Sequence, residues 1–129
     1  MMSTIGMASL LFLVIYGPGP AWEPGKPTRE QPLQQHGSYM LDLHEQGVMR
    51  EAGGFVDADG GAAVIFAVDE RQARSILDTD PAIERGVMSY TLRQWAPLDW
   101  TALGERRRAR REQEAAGAEH PAPEPAPQD

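Results

Sequence analysis

The chain has 129 residues, of which 12 are Lys or Arg and 19 are Asp or Glu, giving a formal net charge of −7, and 41% of its residues are hydrophobic. That length and composition support one core and leave no room for a second independent domain. There is no cysteine, which excludes a disulfide scaffold, a thiolate metal site and a cysteine nucleophile and fits a reduced, cytoplasmic setting; the acidic balance argues against a nucleic-acid partner, whose phosphates require Lys and Arg.

Ile5 to Tyr16 is mostly apolar. Twelve residues are too few for a membrane span, which needs roughly 20, and Met1 to Ser9 lacks the basic start of a secretory signal. The run predicts a buried strand over about Ser9 to Tyr16, apolar at both parities and so covered on both faces. Gly17 to Arg29 holds four prolines and three glycines and predicts a loop; structureless loops of about a dozen residues inside a domain are often functional.

A helix is predicted from about Glu30 to Gln46, with Pro32 in its first turn and Gly47 as its stop. Steps of 100° per residue place Met40 and Leu43 within about 40° of His36, which puts the histidine on the apolar face. Val48 to Phe55 predicts a strand, Val56 to Gly61 a hairpin turn carrying an Asp-Gly signal, and Ala62 to Val68 a second strand apolar at both parities. Asp69 is positioned to cap a helix with apolar positions Ala73, Ile76 and Leu77, which Asp80-Pro81 ends or kinks and Gly86 closes. Val87 to Trp95 alternates as a half-buried strand, with Met88, Tyr90 and Leu92 on one face and Ser89, Thr91 and Arg93 on the other.

Strand, helix, strand, strand, helix, strand is the order of a ferredoxin-like α+β sandwich. Both helices cover one sheet face, yet the first and third strands, central in that fold, are apolar on both. The simplest cover for the open face is the same face of a second copy, which predicts a homodimer built as a dimeric α/β barrel. From Thr101 the chain becomes charged and helix-prone, with five arginines between Arg106 and Arg111, and His120 to Asp129 alternates Pro with small or acidic residues. This tail, residues 100–129, predicts a partly helical, solvated extension with nothing to bury. Residues 1–99 hold 7 basic and 13 acidic side chains, so the acidity belongs to the domain.

The predicted topology brings the Gly/Pro loop, His36, Asp57 and Asp59 of the hairpin, and Asp80 to one end of the sheet. A histidine paired with a carboxylate has its tautomer and orientation fixed, as general acid or base chemistry near neutral pH requires. The plainer account is a core histidine bonded to a backbone carbonyl and an Asp-Pro that merely ends a helix. His44 sits near its helix end, where the dipole favours it, and the spacing of His36, Asp42 and His44 does not suit a metal. Tyr16, Trp22 and Tyr39 are candidates to line a pocket, with packing the equal alternative for Tyr39; Arg93 is a candidate to hold an anionic ligand, beside the plainer account of an interface or solvent role.

Several of these residues in order, LLFLVIYGPG, then His36 with Tyr39-Met40 and Gly47, a Gly-Gly/Asp-Gly-Gly hairpin, and Asp80-Pro81 with Gly86, resemble the YciI-like (YCII-related) proteins. The resemblance covers about Ser9 to Trp95. It implies a ferredoxin-like fold, a dimeric α/β barrel and a His/Asp pair as active site, carried here by His36 and Asp80; an enzyme similar to that family removes chloride from a hydroxylated aromatic ring. Gly53-Gly54 departs from the Gly-Pro usual after the second strand of the family. Two functions follow as expectations. One is a cofactor-independent enzyme of lyase, isomerase or dehalogenase type, acting through His36 and Asp80 on a small polar or aromatic molecule. The other is a non-catalytic module that binds a small ligand, and no membrane or nucleic-acid partner is expected for either; a weaker third idea gives the arginine-bearing tail a partner of its own.

Overall fold

The computed structural model describes residues 9–119, so the predicted His120–Asp129 stretch lies outside the described residues. Four strands, β1 (Leu10–Pro18), β2 (Met49–Gly54), β3 (Gly61–Ala67) and β4 (Met88–Gln94), form one antiparallel sheet in the order β2-β3-β1-β4. Helices α1 (Gln34–Glu45), α2 (Glu70–Asp78) and the short α3 (Pro81–Glu84) complete the βαββαβ order of the ferredoxin-like fold. A further helix, α4 (Trp100–Glu119), belongs to a second compact unit that begins at Pro97.

The two strands that are apolar at both parities are the two central ones. Phe12, Val14 and Tyr16 of β1 are registered with Ile65, Ala63 and Gly61 of β3, and this set faces the helices. Phe12, Val14 and Ile65 are at most 1% exposed, and each contributes about 1.5–3 kcal/mol through burial. Met40 and Leu43 of α1, and Ala73 and Leu77 of α2, close the core from above. The intervening residues Leu11, Leu13, Ile15, Ala62, Val64 and Phe66 point to the opposite face, where Ile15 is 38% exposed.

Three boundaries depart from expectation for local reasons. Helix α1 begins at Gln34, not Glu30, because Pro32 forces Gln31 into an extended conformation with ψ 156°. The second helix does not simply stop at Asp80-Pro81. Asp69 caps α2 by accepting from Gln72 N–H at 2.8 Å, and Asp80 then caps α3 with Pro81 in its first turn. Strand β2 carries a bulge between Met49 and Glu51: Met49 is opposite Ile65, whereas Glu51 is opposite the adjacent Val64.

The Gly/Pro loop is ordered by one buried side chain. Gln31 Oε1 accepts from Glu23 N–H at 2.8 Å, and its Nε2 donates to the carbonyls of Glu23 and Lys26, each at 2.9 Å. The same loop seats Trp22 in the core and is pinned to the start of β4 by Gly19 N–H donating to Val87 O and Ala21 N–H to Gly86 O. Three hydrogen bonds at about 1 kcal/mol each predict that Gln31→Ala lowers stability by about 2–3 kcal/mol. A urea midpoint within the scatter of wild type would show that the loop is held by other contacts.

Candidate active site

Asp80 is the one fully buried acidic side chain among the described residues, at 0% exposure. Its Oδ1 accepts from Ala82 N–H at 2.9 Å and its Oδ2 meets His36 Nδ1 at 2.5 Å. Both residues are delivered by the backbone: His36 lies in the first turn of α1, on the face that carries Met40 and Leu43, while Asp80 is held in the corner between α2 and α3. An ionised carboxylate only accepts, so the proton between them resides on Nδ1 when the ring is neutral, and Nε2 carries the lone pair. The Tyr16 ring meets the imidazole edge-on, with centroids 5.5 Å apart and planes at 74°. A carboxylate on one side and an aromatic ring on the other fix the plane of His36.

This imidazole borders a cavity of about 230 Å³ whose wall also includes Tyr16, Thr28, Met40 and Met88. Its floor is made by glycine. Gly60 adopts φ +95°, and a Cβ on it would collide with the Tyr16 carbonyl; one on Gly61 would collide with the Gly53 carbonyl. Bare backbone at these positions lets the β2–β3 hairpin close against the end of β1. By contrast, a Cβ on Gly54, which stands where the Gly-Pro expectation has proline, would meet only the Gly60 carbonyl at 3.8 Å, an ordinary contact, so backbone packing does not demand glycine there. Thr28 closes the rim, its Oγ1 accepting from Gly60 N–H at 3.2 Å.

Burial, followed by the negative charge of Asp80, pushes the Tyr16 phenol well above its ordinary value near 10. It is therefore a neutral phenol at physiological pH, and its hydroxyl finds only the soft Met40 Sδ, at 3.9 Å. Burial and Asp80 raise Tyr39 likewise.

Of the residues singled out by sequence, His36, Asp80 and Tyr16 come together. The other three proposed ligand contacts lie elsewhere. Trp22 packs in the core beneath its loop. Tyr39 points between helices and donates to Ile76 O at 2.6 Å. Arg93 is exposed on the sheet face opposite the helices, because its parity in β4 is opposite to that of Met88 and Leu92. Asp57 and Asp59 border a separate surface hollow with Arg29, and exposed His44 meets Met49 O at 3.1 Å. Thr28 was missed: it stands in a polar stretch with no motif, and only the turn of the loop, which Gln31 holds from within, brings it to the cavity. No group of three metal-ligating side chains is gathered among the described residues, and no described helix is long and apolar enough to cross a membrane.

The sequence matches the YCII-related domain over residues 10–96. The chain belongs to the YCII-related family. The match ends where the first compact unit ends, leaving α4 outside it. Among solved structures, the chain is similar to 5-chloro-2-hydroxyhydroquinone dehydrochlorinase of Burkholderia phenoliruptrix, in complex with 2,5-dihydroxybenzoquinone. That alignment has a TM-score of 0.51 and 15% identity, and it covers 67% of this chain and 94% of the other. At that identity the likeness concerns the fold. No curated protein matches the sequence.

Two outcomes test the site as built. In Asp80→Asn the amide replaces the acceptor that holds the proton on Nδ1, so ¹⁵N spectra of neutral His36 should move from the Nδ1–H tautomer toward the Nε2–H form common in free imidazole; an unchanged tautomer would break the link between the two residues. For Tyr16, the raised phenol favours the folded state fully below pH 10 and progressively less above it, as the unfolded chain ionises first. Wild type should therefore lose roughly 1.4 kcal/mol more than Tyr16→Phe between pH 9 and pH 11, measured by urea unfolding, and parallel pH profiles would contradict the burial argument.

Proposed function

We propose that this YCII-related protein is a cofactor-independent enzyme in which His36 serves as general base and then general acid, held by Asp80, on a small hydroxylated ring. The observation that carries the reading is the contact of His36 Nδ1 with a fully buried carboxylate while the same ring borders a cavity. A buried Asp-His contact commits Nε2 to the cavity side, where it can take a proton from a substrate O–H or C–H. The electron pair left behind moves into the substrate. It either forms a new double bond, as in isomerisation, or expels a leaving group such as chloride, and the imidazolium then returns its proton to product or water. No oxidant or metal is required for atoms and charges to balance. Asp80 stabilises the transient imidazolium, a role for which its own proton is not needed.

The cavity supports the substrate class. A space of about 150 Å³ holds benzene in an apolar core, so about 230 Å³ suits one substituted six-membered ring and is small for a drug-sized ligand. The mixture of apolar wall and few polar groups suits a ring with hydroxyls at its edge. The similar structure named above is a dehydrochlorinase with a dihydroxybenzoquinone bound, which favours a halogenated or hydroxylated quinol as the first substrate to try. Assembly belongs to the same reading: the apolar face of β1 and β3, on which Val64 is buried and its neighbours are partly exposed, is covered by a second copy.

Turnover of 5-chloro-2-hydroxyhydroquinone and related chlorinated quinols, followed by chloride release, tests this directly. His36→Ala should lower kcat/KM by about 10²–10⁴, and Asp80→Asn should lower kcat more than it raises KM. If a folded His36→Ala protein retained wild-type turnover, the acid/base role would be lost and the non-catalytic ligand-binding function would take its place.

A further inference from the structure

The register of the sheet draws one row of side chains across its open face. Glu51 of β2 is opposite Val64 of β3, Val64 is opposite Leu13 of β1, and Leu13 is opposite Arg93 of β4. The row therefore reads acid, apolar, apolar, base from one edge of the sheet to the other. Glu51 stands in it only because of the β2 bulge. A strand without the extra residue at Arg50 would turn Glu51 toward the helices, since a shift of one residue reverses every side chain. Both charges are exposed. Glu51 has only a long surface contact, 3.4 Å, with the exposed Arg50, and such pairs contribute little. Arg93 has no carboxylate within 4.0 Å among the described residues.

Two sheets packed face to face about a two-fold axis have that axis in the plane between them. An axis running along the strands reverses their lateral order, so the row Glu-Val-Leu-Arg lies over Arg-Leu-Val-Glu. An axis running across the strands preserves the order and lays Glu over Glu and Arg over Arg. Only the first is complementary. We infer that the homodimer proposed above forms about an axis parallel to the strands, over the β1–β3 seam, with Glu51 of each copy paired to the partner's Arg93. This rests on the dimer reading and adds its geometry. The two pairs flank a strip formed by Leu11, Leu13, Ile15, Ala62, Val64 and Phe66, so they lie at the rim, where charges select the orientation of an interface more than they deepen its affinity. Glu and Arg are long enough to meet across sheets roughly 10 Å apart. Gly53 and Thr91, in the next row, are related in the same way: a residue without a side chain faces one with a small side chain.

Sedimentation velocity on the full chain at micromolar concentration separates the two layers of this inference. Wild type should sediment as a dimer. Glu51→Arg and Arg93→Glu should each raise the dimer Kd at least about tenfold, since each sets like charges against one another twice. An equimolar mixture of the two variants should recover dimer, because the heterodimer pairs the reversed charges correctly at both ends; the double variant should recover it as well. Recovery in the mixture also shows that each variant is folded. A dimeric wild type whose Kd neither variant changes, or variants that do not rescue each other, would overturn the axis and leave the dimer standing; a monomeric wild type would overturn both.

Discussion

A carboxylate sealed from water tolerates few surroundings, and Asp80 is built into one of them. Leaving a buried carboxylate without partners costs several kcal/mol, so its two oxygens constrain what may lie around it. One takes the Ala82 N–H, which fixes the corner between α2 and α3; the other takes His36, which fixes the rotation of α1 above the sheet. Tyr39, one turn along α1, repeats the link with its bond to Ile76 O. The contact between helices is thereby specified by polar groups where an all-apolar seam would allow it to slide. The same contact orients an imidazole at the mouth of a cavity. One interaction thus fixes the packing of two helices and the orientation of the imidazole.

The cavity depends on what the sequence omits as much as on what it places. Gly60 and Gly61 bring backbone to backbone at the end of β1, and the space above them stays free of side chains. Thr28, carried in by the loop, supplies the polar cap of the hairpin. Gln31 performs for the loop what a strand would do by pairing: it satisfies backbone groups of Glu23 and Lys26 that no ladder reaches. A loop rich in proline and glycine is thus held in one conformation beside His36 at the expense of a single buried amide.

Most of the fold was legible because its central strands break the usual alternation. Leu10–Pro18 and Gly61–Ala67 are apolar at both parities, and only interior strands tolerate that. His36 was legible from its angle beside Met40 and Leu43, and Asp80 from the proline that follows it, since both signals are local. What escaped was non-local. Whether Trp22 and Tyr39 face a cavity or a core is decided by where the loop folds back and how two helices pack. The bulge at Arg50 leaves no mark in MREAGG, because it is defined by the registry of a partner strand. Arg93 is a ligand candidate by its charge, yet the alternation of β4 puts it on the face away from Met88, which favours the interface or solvent role that stands beside it.

That parity has a consequence for how site and assembly relate. Along β1, Tyr16 faces the cavity and Ile15 the open face; along β3, Gly61 and Ala62 both border the cavity although they differ in parity, and the bulge in β2 directs Glu51 outward and Ala52 inward. Consecutive residues therefore serve different surfaces of a sheet one layer thick. A change at the open face can alter association without touching a lining side chain, yet it cannot avoid the backbone that both surfaces share. Gly53 borders both surfaces. It is exposed on the outer face, its carbonyl is packed against Gly61, and the strand it belongs to forms the cavity wall. A second copy on the open face, as proposed, would rest on the same β2–β3 backbone that carries the glycine floor beneath His36, with Gly53 and Ala62 bordering both surfaces.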